Sequence, residues 1–418
     1  MQTSIISEEK IRNRKMGILI CGVILYFLTS MSKVLIPATI FNELQQAGLN
    51  VKSISAMGAV YMYSYAASQL LAGIFSDRYG GVRFLLIGGS LFTLGTLGFP
   101  FTDNLYLMYL SRILTGFGAG TVFLGVAKLL SDLFSARFAA ALGFVLVLGF
   151  FGPTAGTMMI HLINLLGWKW AMAVPGLISA VGMLVILAVM KGTVKPVTKG
   201  QTLTPLFMIL KKYRVWFLWL TSSVIFGSYY VLLGQIGQKS IIDFCKIRPE
   251  KAALAIMLMT IMVAVNNMGV NGMLKLCGNR RKTVAIFGIT CTLLGSVLGW
   301  AAFTYNLGLT GILPAFYLVA FPAGFFPLYS QIAKEMFSAE YTGLAVAMVN
   351  FMAFVFIAAF QNISGRILEH FTTPLVKLSG IFPASAYAAI FLFFCIAALP
   401  AVIAAFFIPE TKSQDDRS

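Results

Sequence analysis

Apolar residues in this chain come in long runs divided by short polar breaks, from Met16 to Ile408. A helix rises about 1.5 Å per residue, so roughly 20 apolar residues cross the hydrocarbon core of a bilayer. The runs predict twelve membrane-spanning helices, at 16–39, 54–75, 84–102, 106–130, 138–163, 169–190, 214–237, 252–275, 284–304, 311–333, 342–364 and 385–408. The first run has no small-residue cleavage site and others follow it, so it reads as a retained span.

The longest polar break, 191–213, is basic and contains Pro and Gly, and it leaves six runs on either side. It predicts a linker between an N-terminal bundle, 1–190, and a C-terminal bundle, 214–418. The halves echo one another: SDLFSARFAAALGF from Ser131 is matched by KEMFSAEYTGLAVA from Lys334, and FSDRYGGVR by LKLCGNRRK, both at offsets of about 200 residues. Duplicated six-helix halves are a mark of transporters, in which two similar bundles rock about a midplane site.

Composition agrees: 59% of residues are hydrophobic and 11% charged, with a mean hydropathy of +0.87. That excludes a soluble globular protein. The net charge of +17 would suggest nucleic acid in a soluble chain, but here it follows the alternation of loops. Lys10, Arg12, Arg14 and Lys15 precede the first run, Arg78 and Arg83 follow the second, and further basic groups occupy 191–214 and 275–282. By the positive-inside rule both termini are cytoplasmic, and nucleic acid is not an expected partner. The outer segment Lys239–Lys251 breaks the trend with four basic residues, a feature suited to attracting an anion. Five scattered cysteines suggest neither disulfides nor a metal site. With two histidines and no triad or metal-ligand cluster, neither an enzyme nor a cofactor is expected. The sequon Asn362-Ile363-Ser364 falls within or at the end of a run, and compact loops point to a bacterial inner membrane.

Three motifs carry a family resemblance. The loop Gly73-Ile74-Phe75-Ser76-Asp77-Arg78-Tyr79-Gly80-Gly81-Val82-Arg83 resembles the G-x-L-x-D-R-x-G-x-R signature of the major facilitator superfamily. In that family the loop latches the two halves on the cytoplasmic side, which implies a gating role for Gly73, Asp77, Arg78, Gly80 and Arg83. Its second copy has Lys275 where the first has Asp77, so the latch is not symmetrical. Arg112-Ile113-Leu114-Thr115-Gly116-Phe117-Gly118 resembles the family's R-x-x-x-G-x-G motif, whose arginine lies at the central cavity. Gly152-Pro153-Thr154-Ala155-Gly156 is similar to the core of its antiporter motif, with Leu148 and Thr157 replacing two glycines. A Gly-Pro pair frees a backbone carbonyl and makes a hinge whatever the direction of transport. The ending Pro409-Glu410-Thr411 also fits. The resemblance covers the whole chain and implies an all-α fold of twelve spans in two pseudo-symmetric bundles, with spans one, four, seven and ten around a cavity. Among branches of the family the nearest is the one carrying organic anions.

The residues those spans offer are Tyr26, Thr29, Ser30, Lys33 and Pro37, a polar stripe on span one, with Arg112 on span four, Tyr229, Tyr230 and Gln235 on span seven, and Tyr317 on span ten. Lys33 lies roughly 25 Å along its helix from Met16, and Arg112 about 10 Å inward from the outer end of its own, so their depths approximately agree. A buried cation costs about 2.5–3.5 kcal/mol at a helix centre and needs a partner, water or a ligand. No acidic residue falls inside a predicted span; Asp77, Asp103, Asp132, Asp243, Glu335, Glu340 and Glu369 all sit in loops or at ends. Lys33 and Arg112 therefore predict an electropositive cavity, with the opposing reading that each snorkels to the outer surface. Asn266, Asn267 and Asn350 read as interhelical hydrogen-bond partners and His161 as an interfacial residue. The expectation is a monomeric transporter of an anionic or carboxylate-bearing small molecule, with Lys33 and Arg112 as anchors, Tyr26, Ser30, Tyr229, Tyr230, Gln235 and Tyr317 orienting the cargo, and protons as a coupling partner. The rival within transport is a drug efflux antiporter, favoured by 36 phenylalanines and 20 methionines. A rival of another class is a receptor or sensor on a transporter fold.

Overall fold

The computed structural model describes residues 2–134, 137–193, 208–337 and 342–411; the side chains of 2–8, 37, 72–79, 138–140, 150, 342 and 343 lie outside that description. Much of the predicted linker, 194–207, and most of the two Phe-Ser-Ala repeats fall outside the described residues. Every regular element among the described residues is helical. Among the described residues, eleven stretches are long and apolar enough to cross a membrane. The predicted run 54–75 coincides with the first arm of a long helix, α3 (Val51–Gly98). Ser55, Tyr61, Tyr63, Ser64, Tyr65, Ser68 and Gln69 make that arm more polar than the others. Gly80, with φ at +74°, divides α3 into two arms at a backbone conformation that side chains disfavour.

The preceding helix, α1 (Gln2–Val34), runs into a π turn, Leu35–Thr39, and a short helix, α2 (Phe41–Gln46). Then come α4 (Leu105–Leu133), α5 (Phe138–Met158), α6 (Ile160–Leu166) and α7 (Trp168–Val189). α4 starts cleanly because the Asn104 side chain accepts from the backbone N–H groups of Tyr106 and Leu107. After the linker, α8 (Tyr213–Val231) enters a second π turn, Leu232–Ile236, and continues as α9 (Gly237–Cys245). The remainder comprises α10 (Pro249–Leu276), α11 (Arg281–Thr304), α12 (Gly308–Ala320), α13 (Phe326–Met336), α14 (Thr342–His370), α15 (Pro374–Ser379) and α16 (Ala384–Phe406).

The chain forms two compact units, Met1–Lys33 with Val60–Thr202, and Val34–Ala59 with Leu203–Ser418. The first has an aliphatic core that includes Ile18, Leu25, Leu85, Val122, Val126 and Ile186. The second has an aromatic one, where Phe303, Phe316 and Phe394 pack around Phe391 with centroids 5.5–5.8 Å from it. Residues 34–59 are part of the second unit, although they precede the linker by well over a hundred positions. Within that unit the π turns Leu35–Thr39 and Leu232–Ile236 pack on one another. They are about 200 residues apart, the offset of the sequence repeat, so the duplicated halves share a local distortion that their residues alone do not announce.

Candidate functional site

In the first unit the structure joins Lys33 and Arg112 through a pair of tyrosines. Tyr61 and Tyr65, four residues apart on α3, stack with centroids 6.4 Å apart and planes 20° from parallel. The Lys33 ammonium lies 4.6 Å from the centre of the Tyr65 ring, and the Arg112 guanidinium carbon 4.5 Å from that of Tyr61. Lys33 is 6% and Arg112 2% exposed. Arg112 Nη2 donates to the Ser32 carbonyl at 3.4 Å, beside the backbone of Lys33. The Tyr61 hydroxyl donates to the Thr29 carbonyl at 2.8 Å, which holds the ring flat under the guanidinium. A desolvated cation over a tyrosine face gains about 2 kcal/mol, so the rings offset part of the cost of burying two like charges.

Close packing of glycines makes the arrangement possible. A side chain at Gly116 would strike the Tyr61 carbonyl, one at Gly118 would approach Gly88 O and Phe92 N at 2.5 Å, and one at Gly120 would strike Ser68. The R-x-x-x-G-x-G spacing thus brings α4 against both arms of α3 with the arginine aimed at Tyr61. The ring and the hydroxyl of Tyr61 are separable. Tyr61→Phe keeps the face and should lower stability by about 0.5–1.5 kcal/mol, whereas Tyr61→Leu should lose the cation contact as well. Thermal unfolding of both variants checks the order, and equal effects would show that the ring face contributes nothing.

The other predicted residues divide. Tyr26 is buried in the aliphatic core, its ring 5.2 Å from Phe123 and close against Gly149. Ser30 is 2% exposed and lies against Gly152, where a Cβ would come within 2.6 Å of the Ser30 Cβ. The Gly152-Pro153 hinge candidate therefore packs on span one. Asp77 and Arg78 have side chains outside the described residues, and Gly73 lies on the backbone of α3; Arg83 is partly buried. His161 is exposed.

In the second unit Tyr229 and Tyr230 meet edge to face at 5.2 Å, and Tyr230 lies 6.3 Å from Phe354. The Tyr317 hydroxyl donates to the Ala255 carbonyl at 3.3 Å, and Asn266 Nδ2 to Phe321 O at 3.1 Å, bonds that tie helices together. Gln235, in the second π turn, donates from Nε2 to Ser55 Oγ at 2.8 Å and to Gln361 O at 3.1 Å. Gln235 Oε1 and both amide atoms of Gln361 are buried without a hydrogen-bond partner.

The structure corrects the reading of Lys239 and Asp243 as outer-loop residues. The seventh span continues to Cys245, and both side chains are under 10% exposed. Lys239 Nζ lies 3.3 Å from Asp243 Oδ1, and donates to Asn42 Oδ1 at 3.0 Å and Gly380 O at 2.6 Å, between the rings of Phe41 and Phe382. Asp243 Oδ2 accepts from Phe382 N at 3.0 Å and from the Tyr387 hydroxyl at 2.6 Å. The charge that seemed free to draw solutes is spent holding residues 34–59 to α9 and α16. Glu43, beside Asn42, is pushed above the usual carboxylate range by burial, opposed by its own backbone hydrogen bond and by Lys239.

Comparison with known proteins agrees with this architecture. The family model of the Major Facilitator Superfamily matches residues 18–361, so the chain belongs to that superfamily, as an integral, multi-pass membrane protein. It is 28% identical over 175 residues to the multidrug resistance protein MdtM of Escherichia coli O157:H7, covering 40% of this chain and 42% of that one. It is 25% identical over 118 residues to a probable sulfoacetate transporter, SauU, of Cupriavidus necator, covering 28% and 27%. These matches span less than half the length of the curated relatives. The fold is similar to a crystal structure of the nucleoside transporter NupG, with a TM-score of 0.74 at 15% identity over 94% of this chain and 99% of that one.

Proposed function

We propose that this protein is a secondary transporter that carries a small organic anion by alternating access, with Lys33 and Arg112 as its anchors. The observation that carries the reading is the basic-aromatic ladder of the first unit: two buried cations, each laid on one ring of a stacked tyrosine pair. A planar carboxylate or sulfonate suits a guanidinium fork and a neighbouring ammonium, and the rings would guide its apolar part. Relatives bear the names of multidrug, sugar and sulfoacetate transporters, so kinship leaves the cargo open, and the ladder is what supports an anion.

In this reading Tyr229, Tyr230, Gln235 and Tyr317 shape the path, while Tyr26 and Ser30 support span one from the packed side. The loop of Gly73, Asp77, Arg78, Gly80 and Arg83 latches the cytoplasmic side, and Gly152, Pro153 and Gly156 form a hinge. The sequence halves 1–190 and 214–418, joined by 191–213, are the rocking bundles, with twelve spans, both termini in the cytoplasm of a bacterial cell and a proton gradient as the drive.

Uptake by proteoliposomes tests it, using sulfoacetate and a panel of short carboxylates as probes, with and without an imposed pH gradient. Lys33→Ala and Arg112→Ala should each cut initial uptake at least about tenfold, the loss expected when one charged contact worth about 1.4 kcal/mol or more is removed. Undiminished anion uptake in both variants sinks the anchors. Transport confined to apolar or cationic compounds would replace the reading with drug efflux.

A further inference from the structure

A second basic and aromatic feature lies far from the ladder in sequence, in the second unit. Three spans end together there: Tyr213–Cys245 and Arg281–Thr304 begin, and Ala384–Phe406 finishes, so this cleft opens at one face of the membrane. It has a volume of about 260 Å³, and its lining includes Tyr213, Arg214, Phe217, Lys282, Phe407 and Glu410. Arg214 and Lys282 occupy the second position of α8 and α11 respectively, so two long helices point their positive ends and a basic side chain at one space.

Neither cation pairs with a described carboxylate at salt-bridge distance; Arg214 Nε donates to the Tyr213 hydroxyl at 3.2 Å. Glu335 is engaged by Arg281, and Glu410, which lines the cleft, has one oxygen taken by a backbone N–H. Arg281, 5% exposed, holds Glu335 through Nη2 at 2.9 Å and donates from Nη1 to Thr411 O at 2.7 Å, while its backbone N–H donates to Glu410 Oε1 at 2.7 Å. Two C-terminal carbonyls of α16 are also occupied: Phe407 N donates to Ala404 O, and Ile408 N to Ala405 O. Around the cleft, Tyr213 is 65%, Phe406 55% and Phe407 57% exposed. Aromatic rings at such a height sit at the boundary between headgroups and acyl chains.

The geometry points to this cleft as a binding site for the headgroup of an anionic phospholipid, with Arg214 and Lys282 on the phosphate and the rings of Tyr213 and Phe407 against the upper acyl chains. Basic pockets between helix ends at a membrane face select such lipids by charge, and a zwitterionic headgroup gains little there. Glu410 sets the affinity, since its remaining negative charge opposes the phosphate.

The test uses full-length protein in detergent, with dioleoyl phosphatidylglycerol, dioleoyl phosphatidylcholine or inorganic phosphate added, read by thermal unfolding and by lipid retention in native mass spectrometry. Phosphatidylglycerol should be retained and raise the melting temperature by several degrees, phosphatidylcholine and inorganic phosphate should not, and the double variant Arg214→Gln with Lys282→Gln should lose the shift. Glu410→Gln keeps an acceptor for the Arg281 N–H while removing the charge, so it should retain phosphatidylglycerol severalfold more tightly, a gain that misfolding does not mimic. Equal retention of the two lipids, an unchanged shift in the double variant, a shift with phosphate alone or no gain in Glu410→Gln would each overturn the assignment. None of these readouts depends on the transported substrate.

Discussion

Lys239→Met is expected to destabilise the protein by about 3–5 kcal/mol, the usual cost of removing one member of a buried ion pair. The size follows from what stays behind. Asp243 would keep its bonds from Phe382 N and the Tyr387 hydroxyl, but its buried charge would have no cation beside it. Asp243→Asn should cost a similar amount for the opposite reason, since Lys239 would retain Asn42 and Gly380 as neutral acceptors but lose the carboxylate it touches, leaving Glu43 as the nearby counter-charge. The double variant Lys239→Met with Asp243→Asn should recover much of either loss, because it leaves no uncompensated charge. Unfolding midpoints of the four proteins close the cycle, and additive losses would show that the two charges are independent. Lys239 is also the group that ties Asn42 of residues 34–59 to Gly380. A cysteine placed at Ser55, in a background with the five native cysteines replaced, should therefore react faster with a membrane-impermeant maleimide in Lys239→Met than in the parent. An unchanged rate would mean that the lysine contributes stability without holding the segment closed.

The Lys239 cluster also shows where sequence reading stops. Spacing alone places Lys239 and Asp243 on one helical face, four residues apart. Ending the seventh span at 237 turned them into loop residues, and so into a solute attractor. Hydropathy falls at Gln238 and Lys239, and nothing in the pattern says that residues 34–59 will cover them. The spans, the repeat and the loop motif were legible because they are local, or repeat at a fixed offset, and membrane burial constrains residue types strongly. Lys33 and Arg112 stood out for the same reason: a cation in an apolar run is costly enough to demand an explanation. Their aromatic partners did not stand out. Tyr61 and Tyr65 are ordinary residues of a semi-polar arm, and only the packing of α3 between α1 and the glycines of α4 gives them a role. Tyr26 shows the converse, since a tyrosine on the polar stripe is drawn into the aliphatic core by Phe123 and Gly149. The π turns were beyond reach, because a one-residue insertion in the hydrogen-bond ladder leaves no signal in composition or period.

The motif glycine closest to the ladder gives the second large effect. Gly116→Leu should abolish transport while both cations stay in place. A Cβ at this position would strike the Tyr61 carbonyl and approach its carbonyl carbon and Cα to 3.0 Å. Those atoms belong to a helix backbone and cannot rotate aside, so α3 must shift. Overpacking of this kind costs about 1–3 kcal/mol in stability, which leaves a folded protein. The functional loss should be larger, since the displaced residue carries the ring under Arg112 and the hydroxyl bonded to Thr29. Gly182→Leu is the control: no heavy atom lies within 4 Å of a Cβ there, and both folding and uptake should be unchanged. Uptake of the anion that the wild type carries best, measured for the two variants at equal reconstituted amounts, reads the difference. Full uptake by Gly116→Leu would mean that the tyrosine face does not position Arg112 for its cargo, and would reduce the R-x-x-x-G-x-G spacing to helix packing alone.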